Sequence, residues 1–193
     1  MILLTAIVVG LAAGLVRARL SGHSYQPYQL KHAWLVLLAF IPQWLVFVMP
    51  ATRTHFPTGW APCILVTSLV ILLAFSLLNW RQPGIWLLGL GLLVNLAVIL
   101  LNGGLMPISP ETAGWLVPNN LLWQVGERFG TGKDIVLPVA MTRLWLFSDH
   151  LTSPDWLHYR VAFSIGDVLV AAGTVWVLWA TGGPSKLTKG KEQ

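Results

Sequence analysis

Hydrophobic and polar positions divide the chain into five apolar runs separated by short polar turns and one long interval. The runs cover residues 1–20, 33–49, 61–78, 84–101 and 161–181. Each approaches the ~20 mostly apolar residues, range about 17–25, that a helix needs to cross a bilayer. The pattern predicts five membrane-spanning helices. Pro62 falls in the first turn of the third, where its missing N–H does no harm. Pro42 lies inside the second and predicts a kink. The first run ends at Arg17 and Arg19 rather than following a basic stretch, so it reads as a retained helix and not as a cleaved signal. Its Gly10-Leu-Ala-Ala-Gly14 is a small-xxx-small face that lets another helix approach.

Residues 102–160 form the long interval. Two pieces, 121–129 (LLWQVGERF) and 135–147 (IVLPVAMTRLWLF), are rich in Leu, Val and Trp. They predict short helices lying at the membrane interface, the second apolar enough to re-enter it. Arg143 and Pro138 argue against a sixth span. The expected fold is an all-α membrane bundle, one domain over 1–193, with a partly helical extracytoplasmic cap at 102–160.

Composition supports the membrane reading. The chain is 55% hydrophobic and 10% charged, where soluble domains carry about 25% charged residues. Trp34, Trp60, Trp80 and Trp86 fall at or beside predicted helix ends, as an interfacial belt places them. Charge sets the orientation. Short segments at 17–32, 79–83 and 183–193 hold Arg17, Arg19, Lys31, Arg81, Lys186, Lys189 and Lys191. The opposite side spreads Arg53, Arg128, Lys133, Arg143 and Arg160 over a longer length, diluted by Glu111, Glu127, Asp134, Asp149 and Asp155. The positive-inside rule then predicts N-out, C-in. His23 and His32, with the inner cations, read as a patch facing lipid headgroups. No basic helix or zinc spacing suggests nucleic acid.

Candidate chemistry centres on one acid. Asp167 stands in FSIGDVLVAAG (163–173), near the outer end of the fifth run. Asn95 and Asn102 are seven apart and share a helix face. Counting 1.5 Å per residue puts Asn95 and Asp167 at similar depth, about 9–10 Å below the outer ends of their helices. A contact between them is expected, with Ser164 nearby. An ionisable group in a membrane helix is a functional-site candidate by default, and a polar staple between helices is the plainer role. Asn102 leads into Gly103-Gly104, a helix exit whose N–H groups form either an ordinary cap or an anion-binding nest. Pro107, Ser109 and Pro110 then shape a turn where prolines stop further helix. The polar core is therefore Asn95, Asn102, Gly103, Gly104, Ser109, Ser164 and Asp167. Asp149, His150, Asp155 and His158 lack regular ligand spacing, so no metal and no cofactor is expected.

NGGLMPIS (102–109) and FSIGDVLVAAG together resemble a family of small bacterial integral membrane proteins of unknown function. Its members share an N-terminal helix followed by basic residues, an Asn-Gly-Gly-x-Met-Pro turn and a Phe-Ser-Ile-Gly-Asp start to the last helix. FSIGDVLVAAG also resembles the Phe-Asn-Ile-Ala-Asp segment of lipoprotein signal peptidases, which are membrane aspartyl proteases. That resemblance implies a catalytic Asp167 with Phe163 in register, Ser164 replacing an asparagine. The family's second acid lies in an Asn-x-x-Asp-Arg motif. Here Asn102 is followed by Gly-Gly-Leu, and Asp149 is the nearest substitute.

Two functions are carried forward. The first is non-enzymatic: a membrane scaffold, an accessory subunit beside other membrane subunits, or a binder of membrane lipid or another small amphiphile beneath the cap. The second is an aspartyl-type intramembrane hydrolase using Asp167 and Asp149.

Overall fold

A computed structural model describes residues 2–53, 55–57, 59–118, 123–157 and 159–183. The chain is mostly helical, with 59% of the described residues in helix. Apolar helices occupy the five predicted runs: α1 (Ile2–Leu20), α2 (Trp34–Gln43) continuing as a π-helix (Trp44–Val48), α4 (Trp60–Leu78), α5 (Ile85–Leu101) and α7 (Ile165–Ala180). A four-residue α3 (Pro50–Arg53) follows the π-helix. Two of these, α1 and α4, are long and apolar enough to cross a membrane; the others are shorter apolar helices. Large apolar side chains such as Val8, Leu37, Val70, Leu93 and Leu100 point outward from the helices.

Pro42 disturbs its helix without ending it. It lies within α2, and the helix widens into π geometry directly after it. Thr52 Oγ1 donates to the Leu45 carbonyl at 2.6 Å, engaging one backbone acceptor of the distorted segment.

The helices pack in the order α1–α7–α5–α4–α2. Small residues set the close approaches. The buried positions of α1 are Ala6, Gly10, Gly14 and Ala18, one every fourth residue. A methyl on Gly10 would lie 3.0 Å from Leu178 Cβ on α7. Between α5 and α7 the backbones nearly touch: a methyl on Gly91 would lie 2.5 Å from the Gly166 carbonyl, and one on Gly173 2.5 Å from the Leu88 N–H nitrogen. The core under this array contains Leu65, Leu69, Leu92, Leu96, Ile99 and Met106.

The cap differs from the expectation. Residues 135–147 form no interfacial helix. They supply strand β2 (Asp134–Val136) and two 3-10 turns, Val139–Met141 and Trp145–Phe147. β-branched Ile135 and Val136 suit a strand, Pro138 interrupts any helix, and Leu144 adopts φ 56°. Within 121–129, residues 121 and 122 lie outside the described ones, and 123–129 form turns and a bridge. β2 pairs in parallel with β1 (Met106–Ile108), Met106 opposite Asp134. The prolines do not abolish helix either: Pro110 occupies the first position of α6 (Pro110–Leu116), where the missing N–H is harmless. A second small sheet pairs β3 (Leu151–Thr152) with β4 (Ala162–Phe163). The fold is therefore helical with short strands rather than all-α. Residues 162–164 belong to β4 and the helix cap, so α7 starts later than the apolar run does.

Candidate functional site

The late start of α7 determines where Asp167 lies. Ser164 is the N-cap, and Asp167 is the third helical residue. Asp167 N–H donates to Ser164 Oγ at 3.0 Å, and Ser164 N–H donates to Asp167 Oδ2 at 3.3 Å. This is a capping box with aspartate in the usual Glu position. Asp167 is thus in the first turn of its helix and not six residues down it. The match with Asn95 survives because the first turn of α7 lies beside Asn95, well before the C-terminal end of α5.

The expected contact is present. Asn95 Nδ2 donates to Asp167 Oδ1 at 2.8 Å, and Ser164 Oγ donates to the Asn95 side-chain oxygen at 2.9 Å. Ser164 is fully buried and Asn95 is 7% exposed. Both Asp167 oxygens therefore receive donors, and the N-terminal end of the α7 dipole favours its charge. Gly166 makes room for this triangle, since a methyl there would collide with Asn95 Oδ1.

Asn102 and Ser109 do not join the triangle. Asn102 Nδ2 donates to the carbonyls of Val98 and Arg143, and Arg143 N–H donates back to Asn102 Oδ1 at 2.9 Å. It clamps the cap backbone to the end of α5. Asn79, at the end of α4, makes the same clamp on Lys31 with a 2.8 Å bond from Lys31 N–H. Gly103 and Gly104 have φ 86° and 90°. Gly104 N–H donates to the Ile99 carbonyl at 2.8 Å, closing a Schellman cap. That N–H is committed, so the anion-nest geometry is not built at Gly104. Ser109 caps α6, its Oγ accepting from Thr112 N–H at 3.2 Å.

Asp149 lies in a second polar cluster that includes a residue not singled out in the sequence. Lys133 Nζ bridges Asp149 Oδ2 at 2.5 Å and Asp134 Oδ1 at 3.0 Å. The contact depends on β1. Met106 N–H donates to the Lys133 carbonyl, and Asp149 N–H donates to the Pro107 carbonyl. Two segments sixteen residues apart are thereby held on neighbouring sides of one buried strand. Nothing local in Gly-Lys-Asp announces this, because the pairing is long-range. The Asp149 side chain is 3% exposed, and its Oδ1 accepts no hydrogen bond from the described residues. Burial pushes Asp149 up to about 7 against the pull of the Lys133 ammonium, with Asp134 and Asp167 adding to the rise. Burial works against the Lys133 charge, but Asp134, Asp149 and Asp167 outweigh it and hold the amine well above its ordinary value. Lys133 keeps 40% of its side-chain surface accessible while its ammonium is ringed by carboxylates. The Asp167 carboxylate thus raises Asp149 through space, with no hydrogen bond between the two among the described residues.

His158 lies outside the described residues. The ring of His150 turns to Trp145 and to the Ser148 carbonyl. Among the described residues no three His, Cys, Asp or Glu side chains are grouped to hold a metal ion.

A groove of about 490 Å³ opens between α1, α7 and residues 153–157 and 159–163 of the cap. Ala6, Val9, Val168 and Val175 form its walls, with Leu157 and Tyr159 from the cap.

These features define a mostly helical protein with two membrane-span candidates and a structured cap carrying buried ionisable groups. The chain belongs to DUF5317, a family of unknown function whose model matches residues 27–179. No curated protein and no solved structure matches it.

Proposed function

We propose that the chain is a five-span, single-domain protein of the bacterial cytoplasmic membrane, N-terminus outside and C-terminus inside. Its role is non-enzymatic: it binds a small amphiphile such as a membrane lipid beneath its outer cap, as a scaffold or accessory subunit beside other membrane proteins. The observation that carries this reading is the apolar groove roofed by Pro154, Leu157 and Tyr159 and walled by α1 and α7. The alanines at 6, 171 and 172 leave its volume open. Outward-facing Leu and Val on the helices support immersion in lipid, since soluble proteins rarely expose such contiguous apolar surface. The cation asymmetry supports the orientation. The test is to purify the protein in mild detergent and identify retained lipids by mass spectrometry. One amphiphile retained by the wild type and lost in Ala172→Trp is the expected result; equal retention by both proteins refutes groove binding.

A second reading, an aspartyl-type hydrolase resembling lipoprotein signal peptidase, is favoured by one observation. Asp149 and Asp167 have opposite environments: one buried with a bare oxygen, the other supplied with donors on both oxygens. Such a split suits an acid–base pair. The Lys133 bridge and the missing Asn-x-x-Asp-Arg motif weigh against it. Asp167→Asn and Asp149→Asn would each abolish proteolysis of a membrane substrate if this reading holds, and would leave lipid retention intact.

A further inference from the structure

The polar cluster holds more negative than positive charge, and its hydrogen bonds show which group bears the excess. Three carboxylates, Asp134, Asp149 and Asp167, act on one ammonium, Lys133. Arg128 supports Asp134: its guanidinium bonds the carbonyls of Gly132 and Thr131 and its charge couples to that carboxylate. Asp167 has Asn95 Nδ2, Ser164 N–H and the start of α7. Asp149 has Lys133 on one oxygen only, and its other oxygen is buried without a donor among the described residues. A buried carboxylate oxygen without a donor favours the neutral acid. His150, the next residue, turns its ring to Trp145 and to the Ser148 carbonyl.

We propose that Asp149 is a proton-binding site, with Lys133 and Asp167 setting the strength of binding. The ligand is the proton itself, and its uptake converts the Lys133–Asp134–Asp149–Asp167 cluster from a net anion toward neutrality. The site is built by the cap: β1 fixes the backbone of both Lys133 and Asp149. It depends on neither functional reading, because it requires no amphiphile and no bond cleavage.

Infrared titration of the full chain in liposomes tests it. A protonated-carboxyl C=O band is expected below about pH 6 and is expected to disappear as pH rises through neutrality. The band is lost in Asp149→Asn. Asp167→Asn moves the midpoint down, and Lys133→Gln moves it up, each by roughly half a pH unit or more. Because Asp149→Asn disturbs a buried site, the wild type labelled with ¹³C at the aspartate carboxyl carbons gives a second readout. One of the four aspartates is expected to titrate near neutrality. No neutral carboxyl in either measurement, or a band that persists in a folded Asp149→Asn protein, overturns the proposal.

Discussion

Asn95 and Asp167 join α5 to α7 through a 2.8 Å bond, and the same asparagine receives Ser164 Oγ on its other atom. One amide thus satisfies the first turn of a neighbouring helix. Replacing Asn95 with Leu leaves Ser164 Oγ and an Asp167 oxygen without their partner in a close helix interface. A loss of roughly 1–3 kcal/mol is expected. Thermal unfolding in detergent measures it, and Asn95→Asp should be worse because it sets two carboxyls against each other.

Close helix approach makes glycine a requirement at Gly166 and Gly173. A methyl at 166 would displace Asn95 Oδ1, and one at 173 would lie 2.5 Å from a backbone nitrogen of α5. Alanine at either position is expected to cost about 1–3 kcal/mol by overpacking. Gly114, whose added methyl meets nothing within 4 Å, is the matched control and should tolerate alanine.

Asn102 holds the cap by a two-way bond to the Arg143 backbone. Its replacement by Ala frees the 139–147 segment from α5. Limited proteolysis should cut that segment faster in the variant than in the wild type. Ala at Asn79, which clamps Lys31 on the opposite end, should leave cap cleavage unchanged.

The buried ion pair gives a pH signature. Asp149 has a folded pKa of about 7 against an ordinary 3.8. Its stabilising contribution is complete below the ordinary value and is lost as pH rises through the folded one. Lys133, raised above 10.5, contributes below its ordinary value and loses that contribution only in strong alkali. The melting temperature of the wild type, relative to Asp149→Asn, should therefore fall between about pH 4 and pH 7 and then level off. Lys133→Met should cost little in acid, where Asp149 is neutral. Above neutrality it should cost roughly 1–3 kcal/mol, below the full penalty of a stranded buried charge because Lys133 remains 40% accessible.

Helix positions were legible in the sequence because apolar runs have lengths that only helices use. The expected 61–78 and 84–101 match α4 and α5 to within a residue. The Asn95–Asp167 contact was legible because both side chains are polar in apolar surroundings and must find each other. The cap was not. Apolar content at 135–147 suits strand, 3-10 turn and helix alike, and Ile135 and Val136 were captured by β1, nearly thirty residues earlier. The same pairing hid Lys133, whose partner Asp149 is defined only once β1 and β2 meet. The start of α7 was misplaced because Val161–Phe163 is as apolar as the helix that follows, and only the Ser164–Asp167 cap marks the boundary.

The measurement that bears most directly on the membrane architecture is cysteine accessibility in intact cells, after Cys63→Ser removes the native thiol. Ser24→Cys lies between α1 and α2, and Gln124→Cys lies in the cap. Five spans with the cap outside predict that a membrane-impermeant maleimide labels position 124 in intact cells and position 24 only after permeabilisation. Labelling of position 24 from outside, or equal labelling of both in intact cells, contradicts the account.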